Sequence, residues 1–374
     1  MSAIYKKLEE VCEILDSRRV PITAKNRKTG IYPYYGANGL QDYVAEYIFD
    51  DELVLLAEDG GNFGSKERPI AYRVSGKCWV NNHAHVLKAK PLVNADYLCY
   101  ALMFYDTEGL VNGATRQKLT QTAMRQMMIP YRNMTEQLQI ADEINQVIRL
   151  IDKRKEELSL LDQLVKSRFI EMFGSGRYPT VKASEVCDFI TKGTTPPTGE
   201  ITEKYEIGMI PYLKVYNLSF TGELLFDNMP QYISADTHNK QLARSKVLPN
   251  DVLMNIVGPP LGKFSLVTDE FSEWNINQAI AIFRAKDRVL PRYLMAALMQ
   301  PNVLRPFLEQ AVGIRQLNLS LEQCRNLEFP LPPIEEQRAF VELSEQTDKS
   351  KYLFYCLEYI RNNFNAMLEF YMGG

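Results

Sequence analysis

The sequence contains two copies of one module, and this repeat limits the possible folds more than any other feature. Residues 1–174 align with residues 175–374 in colinear blocks, with an offset that rises from 175 to 200. The matching blocks include Glu10-Val11-Cys12-Glu13 with Glu185-Val186-Cys187-Asp188, Ile31-Tyr32-Pro33-Tyr34 with Ile210-Pro211-Tyr212, Trp79 and Asn82-His83-Ala84 with Trp274 and Asn277-Gln278-Ala279, and Gly113, Leu119, Arg125 and Pro130 with Gly313, Leu319, Arg325 and Pro330. A chain of 374 residues also exceeds the usual size of a single core. We therefore predict a pseudo-twofold internal repeat.

Each half divides into a globular part and a long helix. The globular parts, residues 1–132 and 175–332, contain short apolar runs bounded by turn residues, which is typical of strands. These runs are Glu52–Ala57, Trp79–Lys88, Asp251–Val257 and Ala279–Ala285. Two further segments, Asp96–Tyr105 and Arg292–Met299, have Leu, Ala and Met at helical spacing. The predicted fold class is α+β, with two similar mixed α/β domains.

The remaining segments, 133–174 and 333–374, predict two long helices. Between Thr135 and Phe173 there is no Gly or Pro, and apolar residues recur in alternating steps of three and four. A helix of about 39 residues is on the order of 60 Å long. We expect the two helices to pair antiparallel as a coiled coil that separates the domains; two plain helices of a bundle are the alternative. Arg154 and Arg168 interrupt the apolar series, so we expect them to meet carboxylates or a partner.

Composition narrows the class of protein. Lys and Arg number 43 against 46 Asp and Glu, so any affinity for nucleic acid has to come from local patches. No apolar run reaches the roughly 18 residues of a membrane span, and the first residues lack the apolar region of a signal peptide, so we expect a cytoplasmic chain. The six cysteines include no Cys-x-x-Cys pair, which favours buried free thiols over disulfides or a zinc site.

Distinctive motifs precede the two helices and mark the first domain. They are Phe329–Arg338 (FPLPPIEEQR), its weaker copy Ile129–Gln137 (IPYRNMTEQ), Tyr34–Gly39 (YYGANG) and Trp79–His85 (WVNNHAH). With these motifs and the alternation of globular part and helix, the chain resembles, over essentially its whole length, the specificity (S) subunit of type I restriction-modification systems.

The resemblance implies a non-catalytic reader of DNA. Two target-recognition domains (1–132 and 175–332) would each read one half of a bipartite double-stranded target, and two spacer helices (133–174 and 333–374) would set the gap between the halves. The helices would also dock two adenine methyltransferase (M) subunits and, in some assemblies, restriction/translocase (R) subunits. S-adenosylmethionine, ATP and Mg²⁺ are then expected on the partner subunits and not on this chain. Partner contacts are expected at Arg154 and Arg168 and at the helix entries, namely Glu136, Gln137, Glu336 and Gln337. An orphan two-module DNA-binding scaffold without methyltransferase partners is the alternative.

The motifs of the relevant enzymes are missing from the sequence. An adenine methyltransferase needs an Asn/Asp-Pro-Pro-aromatic loop, whereas Gly258-Pro259-Pro260-Leu261 lacks both the polar residue and the aromatic ring. A P-loop needs Gly-x-x-x-x-Gly-Lys-Ser/Thr, and Gly258–Phe264 is one residue short and has no hydroxyl. Neither Asp-x-Lys nor Glu-x-Lys occurs, which disfavours the common Mg²⁺-dependent nuclease site. We expect no catalytic residue in this chain.

The three histidines suggest little metal chemistry. His83 and His85 alternate along a predicted strand and are able to share an ion, but no Cys or Asp cluster accompanies them in the sequence, and the second copy has Gln278 and Ile280 instead. A polar strand end near DNA is the favoured interpretation, and we expect no metal ligands. His238 stands alone and is predicted to lie on the surface.

Candidate DNA contacts are side chains able to read base edges or bind phosphates. In the first domain they are Lys25, Arg27, Tyr32, Tyr34, Tyr35, Asn38, Asn62, Lys66, Asn82, His83, Arg116, Gln117 and Lys118. In the second they are Lys192, Thr194, Thr195, Tyr212, Lys214, Asn217, Asn277, Gln278, Arg315, Gln316 and Asn318. Solvated loops are the ordinary alternative for each patch. The Arg-Gln pair that follows Gly113 and Gly313 in both copies is the most informative, with a surface helix-entry turn as its alternative.

Overall fold

The computed structural model describes residues 4–113, 116–197, 199–311, 317–354 and 356–372, with backbone alone for 351–363. The chain forms two compact units. Unit 1 comprises residues 1–155 together with 355–374, and unit 2 comprises residues 156–354. Each unit therefore contains one globular part and portions of both long helical segments. Among the described residues there is no helix long and apolar enough to cross a membrane.

The globular part of unit 1 begins with one strand and ends with another, and these two strands pair with each other. Its elements are β1 Ile4–Lys7, α1 Leu8–Val11, β2 Cys12–Ile14, β3 Thr29–Gly36, β4 Gly39–Val44, β5 Phe49–Ala57, β6 Ala71–Val80, β7 Ala84–Ala89, α2 Ala95–Met103, β8 Val111–Asn112, β9 Lys118–Leu119, α3 Gln121–Arg125, β10 Met128–Tyr131 and the first part of α4 Met134–Phe173. Strand β1 pairs antiparallel with β10, so the two ends of the globular part meet where α4 begins.

The main sheet of unit 1 has the strand order β2-β7-β5-β6-β3-β4. Its centre is β5, where the uninterrupted apolar run Leu53–Ala57 is fully buried, as expected for a strand covered on both faces. On one face α2 packs through Leu98 and Leu102, and Asn94 caps that helix by accepting a hydrogen bond from the Tyr97 amide at 2.9 Å. The sheet holds the turns at its edge in fixed positions.

Unit 2 repeats this plan with a more divided sheet. Its elements are the last part of α4, β11 Thr180–Lys182, α5 Ala183–Val186, β12 Cys187–Lys192, β13 Ile210–Leu213, β14 Tyr232–Ile233, α6 Ala235–Asn239, β15 Lys246–Val247, β16 Val252–Asn255, β17 Val257–Gly258, β18 Phe264–Leu266, β19 Trp274–Ile276, β20 Ile280–Ala285, α7 Pro291–Leu298, α8 Pro301–Leu308, β21 Leu317–Asn318, α9 Leu321–Arg325, β22 Glu328–Pro330 and α10 Ile334–Phe354. Its two larger sheets have the orders β12-β20-β16-β18 and β14-β13-β19-β15. Helix α11, Cys356–Met372, belongs to unit 1.

Hydrogen bonds at equivalent positions confirm the predicted repeat. The Leu8 amide donates to Met127 at 2.8 Å in unit 1, and the Ala183 amide donates to Leu327 at 2.8 Å in unit 2. The hydroxyl groups of Tyr97 and Tyr293 donate to the carbonyls of Pro130 and Pro330. The parallel pairing of β3 with β6 recurs between β13 and β19. The two globular parts are thus versions of one fold, as the sequence predicts.

Both long segments are helical, and each unit pairs a part of one with a part of the other. In unit 2 the rings of Phe169 and Phe173 at the end of α4 pack against Phe340 near the start of α10, with centroids 5.4 and 5.9 Å apart. The Arg177 guanidinium lies 3.5 Å from Glu336, a second contact between the residues just after α4 and the start of α10. In unit 1, Phe364, Leu368 and Met372 of α11 join Ile140 and Ile144 of α4 in the core.

One predicted boundary is wrong in detail. The run Trp79–Lys88 is not one strand, because β6 ends at Val80 and β7 begins at Ala84, with a turn of polar residues between them. The second long segment is helical over Ile334–Phe354 and Cys356–Met372, and Tyr355 between α10 and α11 lies outside the described residues. The cysteines agree with expectation, since Cys12, Cys78, Cys99, Cys187 and Cys324 are free and buried.

Candidate nucleic-acid interface

The structure brings several predicted DNA contacts of unit 1 together. The turn after β6, the turn after β5 and strand β9 meet at a group that we call the unit 1 turn cluster: Asn38, Glu58–Gly60, Asn82-His83 and Arg116–Lys118. The backbone holds it together, because the Gly60 amide donates to Gln117 at 3.2 Å and the Leu119 amide donates to Glu58 at 2.7 Å. The Asn38 side-chain amide donates to the Gly60 carbonyl at 3.0 Å.

Carboxylates orient the cations of this cluster. The Arg116 guanidinium lies 2.7 Å from Asp59, and the Lys118 ammonium lies 3.0 Å from Glu58. Both cationic side chains remain exposed, at 60% and 49%. Because Lys and Arg have several N–H donors, each keeps donors free to bind phosphates or base edges. In this cluster, a carboxylate therefore anchors each cationic group while the rest of the group faces solvent.

A buried ionic network lies beneath the cluster. His85 Nδ1 is 2.6 Å from Asp16 Oδ2, and its Nε2 is 2.9 Å from the Leu119 carbonyl, so both ring nitrogens face acceptor oxygens. Asp16 also accepts from the Val86 amide at 2.8 Å and from Gln121 at 3.0 Å. The network joins the N-terminal segment, β7 and the residues around β9 through charged hydrogen bonds.

The two acids of the network have lowered pKa values. Burial alone would raise the pKa of Asp16, but the hydrogen bond and charge of His85, the Val86 amide and Arg19 outweigh it and lower the pKa from its usual value. For Glu58, burial is likewise outweighed by the hydrogen bonds from Arg19 and Lys118, and the pKa is lowered. Both acids are therefore ionised near neutral pH.

Asp16, Glu58 and His85 come close enough to hold a metal ion, with one ligand atom of each within 4.8 Å of the others. The sequence shows no Cys or Asp cluster next to the histidines, but the fold brings acids to them, since Asp16 lies beside His85 and Asp59 lies beside His83. Their atoms are already engaged: both ring nitrogens of His85 face acceptors, and Arg19 contacts both carboxylates. This donor set fits a salt-bridge network and not a metal site, because Arg19 and Lys118 already pair with the acids.

Unit 2 gathers a different set of predicted residues. The Tyr212 hydroxyl donates to the Thr194 carbonyl at 3.0 Å, and the Asn277 amide donates to Leu213 at 3.0 Å. The side chain of Arg244, which the sequence did not single out, donates to the Thr194 hydroxyl at 3.1 Å. Strand β21 pairs Asn318 with Val257, as Lys118 bridges to Asp59 in unit 1. Where unit 1 has the charged residues Lys118 and Asp59, unit 2 therefore has the polar Asn318 and the apolar Val257.

Several predicted base contacts lie inside the fold. Tyr34, Tyr212 and Asn217 are 1% exposed or less, which is wrong for side chains that touch DNA in this conformation. Tyr34 packs under the Arg27 guanidinium at 4.2 Å, and Asn217 holds a turn by accepting from the Lys214 amide at 2.9 Å. Their rings and amide groups stabilise the domain instead. Residue type alone therefore does not identify the side chains that read DNA, and exposure on the surface is needed as well.

The other predicted residues lie nearer the surface. Exposed side chains are Lys25, Asn38, Lys66, Asn82, Arg116, Gln117, Lys118, Lys192, Thr195, Gln278 and Asn318; half-buried side chains are Arg27, Tyr32, Tyr35, Asn62, His83, Thr194, Lys214 and Asn277. Arg315 and Gln316 lie outside the described residues.

The helix-entry glutamines have a structural role. Gln137 and Gln337 are fully buried, so direct partner contact is wrong for them in this conformation. Gln137 accepts from the Asn94 amide at 2.8 Å and donates to the carbonyls of Leu92 and Arg132. Gln337 does the same with Leu290, Arg288 and Pro332. Each ties the start of a long helix to the helix that packs on its sheet.

The remaining predicted partner residues lie on helix surfaces. Glu136 is exposed, and the Arg168 guanidinium forms an ion pair with Glu171 at 2.7 Å. Glu336 is contacted by Arg177 and by the Tyr178 hydroxyl, and Arg154 is half-buried.

The surface position predicted for His238 is wrong. Its side chain is fully buried, with Nδ1 3.0 Å from the Asn275 amide nitrogen and Nε2 3.3 Å from Glu273. Burial, with the nearby charge of Lys246, lowers its pKa. The neutral ring therefore links α6 to β19 in the core of unit 2.

Comparisons with known proteins agree with the repeat. Residues 4–160 and 177–353 each match the family described as Type I restriction modification DNA specificity domain. A protein of Haemophilus influenzae named as a type I restriction enzyme specificity subunit is 38% identical over 136 residues, 36% of this chain and 35% of the relative. The EcoBI specificity subunit of Escherichia coli is 24% identical over 63% of this chain and 54% of its own length. The chain thus spans about a third of the length of the first relative and about half of the length of the second.

Longer matches are more distant. The MjaVIII specificity subunit of Methanocaldococcus jannaschii is 20% identical over 91% of this chain and 85% of the relative. The crystal structure of a type I S subunit from M. genitalium superposes with a TM-score of 0.58 at 14% identity, covering 98% of this chain and 96% of that one. At such identity the structural likeness concerns the fold alone.

Proposed function

The chain belongs to the type I restriction-modification DNA specificity family, and from this premise we propose that it recognises the DNA target of such a system. Each globular part reads one half of a bipartite sequence. The observation that carries the proposal is that the two family matches coincide with two units of the same fold whose exposed side chains differ at equivalent positions. An example is Lys118 in unit 1 against Asn318 in unit 2, both of which are exposed.

In this proposal the chain reads DNA and leaves the chemistry to partners. Two methyltransferase subunits and, in some assemblies, restriction/translocase subunits dock on the long helices and bring S-adenosylmethionine, ATP and Mg²⁺. Exposed leucines on α4 support such docking, since Leu150, Leu160 and Leu164 are each at least 40% exposed. A charge of −3 is compatible with DNA binding, because local cations such as Arg116 and Lys118 are presented at a turn and partners supply further phosphate contacts.

Copurification followed by methyl transfer tests the proposal. The full chain is coexpressed with the methyltransferase encoded in its host, and the purified complex is assayed for N6-methyladenine on genomic DNA. We expect a stable complex with two methyltransferase copies, methylating adenines in a two-part sequence, while either component alone is inactive.

Two results would contradict parts of the proposal. DNA binding by the chain without any methyltransferase association would favour an orphan DNA-binding scaffold. Methyl transfer or cleavage by this chain alone would show that it is an enzyme.

A further inference from the structure

A single carboxylate in unit 1 holds an arginine in a presenting position. Asp59 Oδ1 lies 2.7 Å from Arg116 Nη2 and 2.6 Å from His83 Nδ1, and these two nitrogens are themselves 3.3 Å apart. The Asp59 side chain is 18% exposed, whereas the Arg116 side chain is 60% exposed. The Asp59 carboxylate is thus mostly buried, and the Arg116 guanidinium faces solvent.

The surrounding backbone keeps this geometry. Gly60 has a φ of +62°, and a Cβ at this position would lie 3.3 Å from Arg116 Nε, so glycine lets the guanidinium lie across the turn. The Gly60 amide donates to the Gln117 carbonyl, which fixes the turn against the residue next to Arg116. Asp59 also bridges to Lys118 through the backbone. The arginine is therefore constrained through its side chain and its chain neighbours.

We propose that Asp59 is a positioning residue that holds Arg116 ready to read a guanine in one half of the DNA target. The proposal rests on the proposed function. Arginine recognises guanine through two parallel hydrogen bonds to O6 and N7, which requires a fixed guanidinium plane. Because Asp59 engages one terminal nitrogen, other N–H donors of Arg116 remain for the base. His83 completes the support by donating to the same oxygen.

At the described position of unit 2 that is equivalent to Asp59, the residue is Val257. The Leu319 amide donates to Ile256 as the Leu119 amide donates to Glu58, and Asn318 pairs with Val257 as Lys118 bridges to Asp59. Ile256 and Val257 therefore occupy the places of Glu58 and Asp59. The common fold does not require acids at these two positions, and the half of the target read by unit 2 is an internal control.

The test measures discrimination by the full complex of this chain with its methyltransferase subunits. The target is first read from the methylated genomic sites, and relative methylation rates are then measured on duplexes with single base-pair changes in each half. For Asp59→Asn we expect discrimination at one G·C pair of one half to fall about tenfold, with the other half unchanged. Arg116→Ala should affect the same pair, and Asp59→Glu should restore part of the discrimination.

A matched control removes a different ion pair of the same strand region. Asp51→Asn breaks the 2.6 Å contact with Lys88 at the far end of β5 and should leave discrimination unchanged in both halves. A uniform loss over both halves with Asp59→Asn, or wild-type discrimination, would overturn the positioning role. If the wild-type complex shows no target-specific methylation, the proposed function itself fails, and that result is distinct from a specific wild type with an unaffected Asp59→Asn variant.

Discussion

At the scale of residues, unit 1 and unit 2 differ in the charge buried beneath the turn after β5. Asp16, Glu58 and His85 form an ionic network in unit 1, and Ile256 and Ile280 occupy the places of Glu58 and His85 in unit 2. The sequence predicted Arg116, Lys118 and His83 as polar contacts, but not the acids that orient them. Acidic residues repel phosphate, so nothing in a linear pattern marks them as part of a DNA surface; only their distances do.

The buried network predicts an acid-dependent stability of unit 1. The pKa of Asp16 is lowered on folding, so its contribution to the free energy of unfolding is fully present above about pH 4 and is lost at lower pH. At pH 7, Asp16→Asn should destabilise unit 1 by about 3 kcal/mol, because it leaves buried charge without its partner. Urea unfolding followed by hydrogen exchange in β7 measures this, and the difference from the wild type should shrink below pH 4.

The control for this experiment is an exposed acid. Asp42 is 47% exposed and lies 3.4 Å from Arg27, so Asp42→Asn should change stability by less than about 1 kcal/mol. An Asp16→Asn difference that stays constant between pH 7 and the acid range would show that the carboxylate charge is not the source of the stability.

At the scale of elements, periodicity in the sequence predicts the helices well and the strand ends poorly. Thr135–Phe173 is free of Gly and Pro, and α4 indeed spans Met134–Phe173. The sequence predicts a single run over Trp79–Lys88, but a tight polar turn separates β6 from β7. This turn contains neither Gly nor Pro. It is held locally by the His83 amide, which donates to Asn81 Oδ1 at 2.8 Å, and by a tertiary hydrogen bond from the Asn81 amide to the Tyr35 carbonyl at 3.0 Å, which composition does not reveal.

The buried glutamines predict how the long helices are joined to the globular parts. Gln137→Ala removes three hydrogen bonds and leaves the Asn94 amide and two carbonyls without a partner. We expect a loss of about 3 kcal/mol in the stability of unit 1 and faster hydrogen exchange at the start of α2. Unfolding in urea with exchange read at Asn94–Leu98 checks both.

Gln139 on the same helix is the matched control. Its side chain is exposed and donates to Glu143 one turn away at 3.0 Å, so Gln139→Ala should change stability by less than about 0.5 kcal/mol. Equal effects of the two substitutions would contradict the anchoring role of Gln137. Because Gln337 makes the same contacts in unit 2, Gln337→Ala should reproduce the effect there.

At the scale of the whole molecule, the sequence predicts the duplication, but it does not predict which segments of the chain make up each unit. Colinear blocks predict two modules, but α11 completes unit 1 by placing Phe364, Leu368 and Met372 in its core, far along the chain from the rest of that unit. Such contacts depend on where a helix returns in space. The apolar heptad positions indicate that the helix packs, and they do not identify its neighbour.

A difference in charge at one pair of equivalent positions predicts that unit 1 contributes more than unit 2 to the salt dependence of DNA binding. Lys118 and Asn318 occupy equivalent strand positions, and both are exposed. Lys118→Ala should reduce the slope of log K against log salt by about one, as expected for one lost phosphate contact, while Asn318→Ala should leave the slope unchanged. Titration of the complex with its target duplex at several salt concentrations measures both. Equal slopes for the two variants would exclude a phosphate contact at Lys118.

Mapping of N6-methyladenine across the host genome by long-read sequencing, with and without this gene, tests the central claim most directly. The proposed function predicts a two-part methylated sequence with a fixed gap that disappears when the gene is deleted and returns when it is restored. An unchanged methylation map, or the loss of one uninterrupted motif, would contradict the claim that this chain selects a bipartite DNA target.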